Sequence, residues 1–130
     1  MAQIAKSGTP SLATVTTQVN SLSGLIAGEA IAAGDACYIK SDGKAWLATG
    51  TAANAAAQVY GYACQAASVG EAVTLAYDVR FRYGAGLTPG TKVYLSATAG
   101  TLSDAATTGG TAPIGVVVDA TRIHLWQARY

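Results

Sequence analysis

The 130-residue chain holds few side chains able to do chemistry: one His, two Cys and seven carboxylates. The imidazole, His124, lies in the alternating run Arg122-Ile-His-Leu-Trp126. On a period of two it shares a face with Arg122 and Trp126 and opposes Ile123 and Leu125. A general base needs an orienting partner and a nucleophile within reach. No Asp, Glu or Ser pattern marks either, so His124 reads as a surface or interface residue. Two Cys and one His fall short of a four-ligand structural zinc site. Cys37 and Cys64 occupy inward-reading positions of expected strands and read as small buried hydrophobes rather than a disulfide. Glu29, Asp35, Asp42, Glu71 and Asp119 sit beside Gly or at expected turns, where short polar side chains hold a bend. Gly84-Ala-Gly86 and Gly109-Gly110 lack both a following helix and the Gly-Lys-Ser/Thr ending of a phosphate loop. The expectation is a chain with no catalytic residues, no cofactor and no metal: not an enzyme.

Composition narrows the partners. The chain is 51% hydrophobic but only 12% charged, with a net charge of +1; the usual charged share is about 25%. Such a balance makes no field that would draw nucleic acid or an anionic membrane. No run reaches the roughly 18 apolar residues of a membrane span. The start, Met1-Ala-Gln-Ile-Ala-Lys6, lacks the pattern of a signal peptide, so use without secretion is expected. A chain this poor in charge is expected to share its sides with other subunits. Arg80 and Arg82 alternate with Val79, Phe81 and Tyr83, so both arginines leave one face of a strand, either as an interface pair or as a solvated one.

The elements that would position these residues are strands and turns. Residues 1–27 are rich in Ser, Thr, Gly and Gln, with apolar residues at no steady period. They read as an extended N-terminal arm ordered by contact with a partner, and a chain lacking residues 1–20 is expected to fold. Residues 28–130 read as one β-domain in two similar units, about 28–83 and 84–130, hinged at Gly84-Ala-Gly86. Ile31-Ala-Ala-Gly-Asp-Ala-Cys-Tyr-Ile39 is echoed by Leu87-Thr-Pro-Gly-Thr-Lys-Val-Tyr-Leu95. The offset is 56 positions from Gly34 to Gly90 and from Tyr38 to Tyr94, and 54 from Gly61 to Gly115. Glu71-Ala-Val73 is matched to Thr121-Arg-Ile123. Asp42-Gly43 between two strands is a strong hairpin signal. The fold class expected is all-β, a small antiparallel barrel or sandwich. An Ala-rich loop or single helical turn (49–58) and a Thr/Gly-rich loop (104–112) fall at matching points, where distinguishing contacts are expected.

The order of these motifs carries a resemblance. Ser23-Gly-Leu-Ile-Ala-Gly-Glu-Ala-Ile-Ala-Ala-Gly-Asp-Ala-Cys-Tyr-Ile39, Asp42-Gly-Lys44, Val59-Tyr-Gly61, Gly70-Glu-Ala-Val73, Leu87 to Leu95 and Pro113-Ile-Gly-Val116 resemble the head decoration, or capsid cement, proteins of tailed bacteriophages. The resemblance spans about residues 23–127. It implies a tulip-like β-domain, a trimer or similar cluster on the outer surface of the capsid, assembly in the host cytoplasm, and an arm touching the major capsid protein. Gln3, Ile4, Leu12, Val15 and Val19 of the arm, with Arg80 and Arg82, are the expected partner-binding residues. Related β-modules occur in phage head fibres and tails, so a receptor- or glycan-binding module is the alternative, with Trp46 or Tyr60 at loop tips.

Overall fold

Apolar side chains on a period of two set the strands, and Gly turns fold them back on one another. The computed structural model describes residues 3–12 and 20–128. In chain order the strands are β1 (Ser11–Leu12), β2 (Asn20–Ile26), β3 (Ala36–Ile39), β4 (Ala45–Leu47), β5 (Gly61–Ala63), β6 (Ala72–Tyr77), β7 (Val79–Arg82), β8 (Lys92–Leu95), β9 (Leu102–Ser103), β10 (Gly115–Val117) and β11 (Arg122–Leu125). They form a larger sheet ordered β1-β7-β11-β10-β8-β9 and a smaller one ordered β2-β6-β5-β3-β4, with antiparallel pairing between all neighbouring strands. A 3-10 turn at Ala55–Ala57, capped by the Asn54 side chain, is the helical element among the described residues. The fold is all-β, a small two-sheet sandwich.

The repeat is topological. Strands β2 to β6 are ordered 2-6-5-3-4 in one sheet, and β7 to β11 are ordered 7-11-10-8-9 in the other. Registers match as well: Cys37 lies opposite Gly61 as Val93 lies opposite Gly115. Ala76 therefore occupies the place of His124, 48 positions apart rather than the 50 expected from Glu71 and Thr121. The connection after β5 is longer than the one after β10 by an even number of residues, so the alternation survives the change.

The unit boundaries differ from expectation. β2 is the first strand of the first unit, hydrogen-bonded along β6, so residues 20–26 are not an arm. β7 pairs with β11 and opens the second unit, which moves the junction from Gly84-Ala-Gly86 to Asp78. Asp78 has φ 55°, a left-handed conformation that Asp tolerates better than most residues, and there the strand passes from one sheet to the other.

The described part of residues 3–12 also pairs with the domain. Ile4 N–H donates to Leu102 O at 2.9 Å and Ser7 N–H to Tyr83 O at 3.0 Å, and Ser11 lies opposite Arg82. In the first unit Gly28 N–H donates to Ala45 O at 2.8 Å, and Ala45 holds the place of Leu102. The same strand edge is therefore covered twice: by the continuation of β2 in the first unit, and by the N-terminal segment in the second.

The main core lies between the sheets, with Tyr62 and Ala76 of the smaller meeting Val79, Phe81, Val93, Leu95, Ile123 and Leu125 of the larger. A second cluster (Ala27, Ile31, Cys37, Ala45, Ala63, Ala67, Val73, Leu75) covers the other face of the smaller sheet. Gly61 and Gly115 admit close backbone approach at equivalent points. A Cβ on Gly115 would stand 2.5 Å from His124 O, and one on Gly61 would stand 3.1 Å from Ala76 O.

Candidate functional site

Because no layer of the described residues lies on the second unit's far side, alternation along β7, β8, β10 and β11 leaves one sheet face open. Arg82 lies directly opposite both Ser11 and Arg122. In the next outward row Arg80 lies opposite His124, His124 opposite Val116, and Val116 opposite Lys92. Val79, Phe81, Ile123 and Leu125 point the other way into the core. Arg80, Arg82 and Lys92 are exposed; Arg122, His124, Val116, Tyr94 and Trp126 are half-buried.

Two acids rim this face. Asp119 caps the β10–β11 turn, accepting from the backbone N–H of Thr121 and Arg122 and pairing with the Arg122 guanidinium at 2.7 Å. Those backbone N–H groups, chiefly that of Thr121, and the guanidinium hold its carboxyl down to about 2. Asp78 Oδ1 lies 3.0 Å from His124 Nε2, and the Trp126 ring is tilted 6.0 Å away. The pair sits in the open, with the Asp78 side chain 61% exposed, where water screens it. Sequence reasoning did not find the pair, because its partners are 46 residues apart and meet only through the junction of β6 with β7.

Four other carboxylates hold the fold. Glu29 accepts from Leu47 N–H and Glu71 from Ser68 N–H. Asp42 accepts from Lys44 N–H and from the Trp46 indole N–H; the Lys44 bond, foremost, lowers its pKa. Asp35 accepts from Ala32 N–H and from Lys6 at 2.6 Å. Lys6 also donates to Ala33 O, so this ion pair fastens the N-terminal segment to the first unit. Both cysteines are free, and burial pushes both thiols up. Among the described residues no three His, Cys, Asp or Glu side chains gather as metal ligands would, and no helix is long and apolar enough to cross a membrane.

The expected partner residues are dispersed. Arg80 and Arg82 stand together on the open face. Gln3 is exposed and bridges Ser103, while Ile4 is 9% exposed and belongs to the main core. The Leu12 backbone pairs with Phe81. Val15 and Val19 lie outside the described residues. The loops at 49–58 and 104–112 meet each other: Gly109 N–H donates to Gly50 O and Gly50 N–H to Ser96 O, both at 2.8 Å. Each is therefore partly engaged in joining the two units. Of the alternative's aromatics, Trp46 lies against Gly28 with Lys40 4.3 Å from its ring centroid. Tyr60 lines a cleft of about 340 Å³ with Tyr38 and Gln58.

Compared with known proteins, the chain matches no family model and no curated protein.

Proposed function

We propose that this chain is a non-enzymatic structural protein of a tailed bacteriophage that decorates the outer surface of the assembled capsid and stabilises it. It binds the major capsid protein as a multivalent cluster, a homotrimer. The motif order described above supports this reading. The observation that carries it is the disposition of the polar groups among the described residues: six of the seven acids hold turns, hold backbone or pair with bases within the fold, and a sheet face is left open instead of a cleft with convergent reactive groups. An open sheet face suits many modest contacts. Clustering three copies raises avidity by orders of magnitude over a single contact. A ligand that binds the assembled lattice but not free subunits stabilises the lattice by mass action.

Counting this chain against the major shell protein in purified virions tests the reading. Copy numbers comparable to the shell protein are expected. A few copies per particle, confined to a vertex or tail, would remove it in favour of the fibre or tail module. That second reading draws on the cleft of Tyr38, Gln58 and Tyr60, whose aromatic rings and amide suit a sugar ring. It predicts polysaccharide binding that Tyr60→Ala abolishes.

A further inference from the structure

Charge is unevenly placed on this nearly neutral chain. The open face of the larger sheet carries Arg80, Arg82, Lys92 and Arg122 against Asp78 and Asp119, an excess of two positive charges. The remaining described residues carry Lys6, Lys40 and Lys44 against Glu29, Asp35, Asp42, Glu71 and Asp104, an excess of two negative charges. Arg82 and Arg122 also lie directly opposite each other on adjacent strands, an arrangement that costs stability. Asp119 compensates Arg122, but no acid among the described residues forms an ion pair with Arg82. A fold that tolerates this opposition on a regularly paired sheet holds its charge ready for something outside the chain.

We propose that this face is a docking surface for a carboxylate-rich patch of another protein, with Arg82 and Lys92 as its free cationic anchors and Val116, beside Lys92 in its row, as an apolar floor. Charge complementarity selects an anionic partner, and the details select a protein over a nucleic acid. Asp78 and Asp119 stand at two places on the rim of the basic area, where they repel a continuous polyphosphate track running across it but leave room for discrete carboxylates. Half-buried Tyr94 and Trp126 on the same side supply the aromatic and arginine-rich composition of protein interfaces. Planar guanidinium groups pair with carboxylates in two-point geometry. The proposal rests on the function given above for the partner's identity, but not for the existence of the surface.

The test uses the full chain and poly-L-glutamate as the probe, at low ionic strength, with a DNA duplex as comparison. Arg82→Gln/Lys92→Gln should weaken poly-L-glutamate binding about tenfold and flatten its salt dependence. Lys40→Gln/Lys44→Gln, which removes the same charge from the β3–β4 hairpin, should stay within about twofold of the wild type. Arg82→Gln alone should raise Tm by about 1–3 °C, because it relieves the opposition to Arg122. No binding of poly-L-glutamate, equal loss in both double variants, tighter binding of DNA, or a lower Tm for Arg82→Gln would each overturn the proposal. Co-sedimentation with phage shells separates the two levels. If poly-L-glutamate binds as expected and shells do not, the capsid reading fails and the docking surface stands.

Discussion

The two units share a strand order and differ in how they finish it. The first closes with its own chain, β2 running on into Gly28 against β4, and buries both faces of its sheet. The second covers the equivalent edge of β9 with Ile4 from the N-terminal segment, and among the described residues its outer face stays open. One scaffold thus serves two ends. A duplicated sheet becomes a support when both sides are packed, and a platform when one side carries Arg80, Arg82, Lys92 and Arg122 to the surface. The lesson concerns burial more than sequence: the same alternation places a core residue or a surface residue depending on whether a second layer lies over it.

The strongest way to break the comparison is through the core that the units share. Phe81 of the second unit meets Tyr62 of the first edge-on, with centroids 6.3 Å apart. Phe81→Ala should cost about 3–5 kcal/mol, and calorimetry should still show one transition because both units lose packing together. Two separated transitions would show that the units fold independently. Next is the borrowed edge. Ile4→Ala should cost about 2–4 kcal/mol in denaturant titration, and removing residues 1–12 should cost at least as much. The chain lacking residues 1–20, expected to fold, should therefore do so with reduced stability.

Substituting the paired glycines sharpens the repeat itself. Gly115→Ala puts a methyl 2.5 Å from a backbone oxygen and should cost about 2–3 kcal/mol; Gly61→Ala, with 2.9 Å to the Leu75 Cβ, should cost about 1–2 kcal/mol. Equal costs would mean that the two sheets accommodate strain alike. The smallest effect is in acid. The folded-state pKa of Asp119 lies at about 2, below its ordinary 3.8. Its contribution is therefore complete above pH about 4 and fades as pH falls through about 2. Asp119→Asn should remove that part of the acid dependence in a pH series of Tm values. The Asp42 carboxyl, also lowered, in the first unit's β3–β4 hairpin, should change in the same direction.

Where local chemistry decides, the fold was legible in the sequence. Asp42-Gly43, Gly34 and Gly90 marked turns, and these glycines take positive φ. Strict alternation from Val79 to Arg82 placed both arginines outward. What escaped depends on partners far along the chain. β2 reads Asn20-Ser-Leu-Ser-Gly-Leu-Ile26, is largely exposed, and shifts register between Leu22 and Leu25, so it shows no alternation. The burial of Ile4 follows from Leu102 needing a neighbour. Asp78 meets His124 because the chain changes sheets at that residue. The loops at 49–58 and 104–112 looked free because their small residues carry no apolar pattern, yet smallness is what lets their backbones touch: a Cβ on Gly109 would collide with Ala52 O.

Binding to phage shells tests the central claim most directly. Purified wild-type chain, Arg82→Gln/Lys92→Gln and Lys40→Gln/Lys44→Gln should be titrated onto undecorated shells of the phage proposed as its source, with bound copies counted after sedimentation. The account predicts saturation by the wild type at many copies over the shell, about tenfold weaker binding by the variant of the open face, and near-wild-type binding by the hairpin variant. Shells that bind none of the three, or bind all three alike, would contradict it.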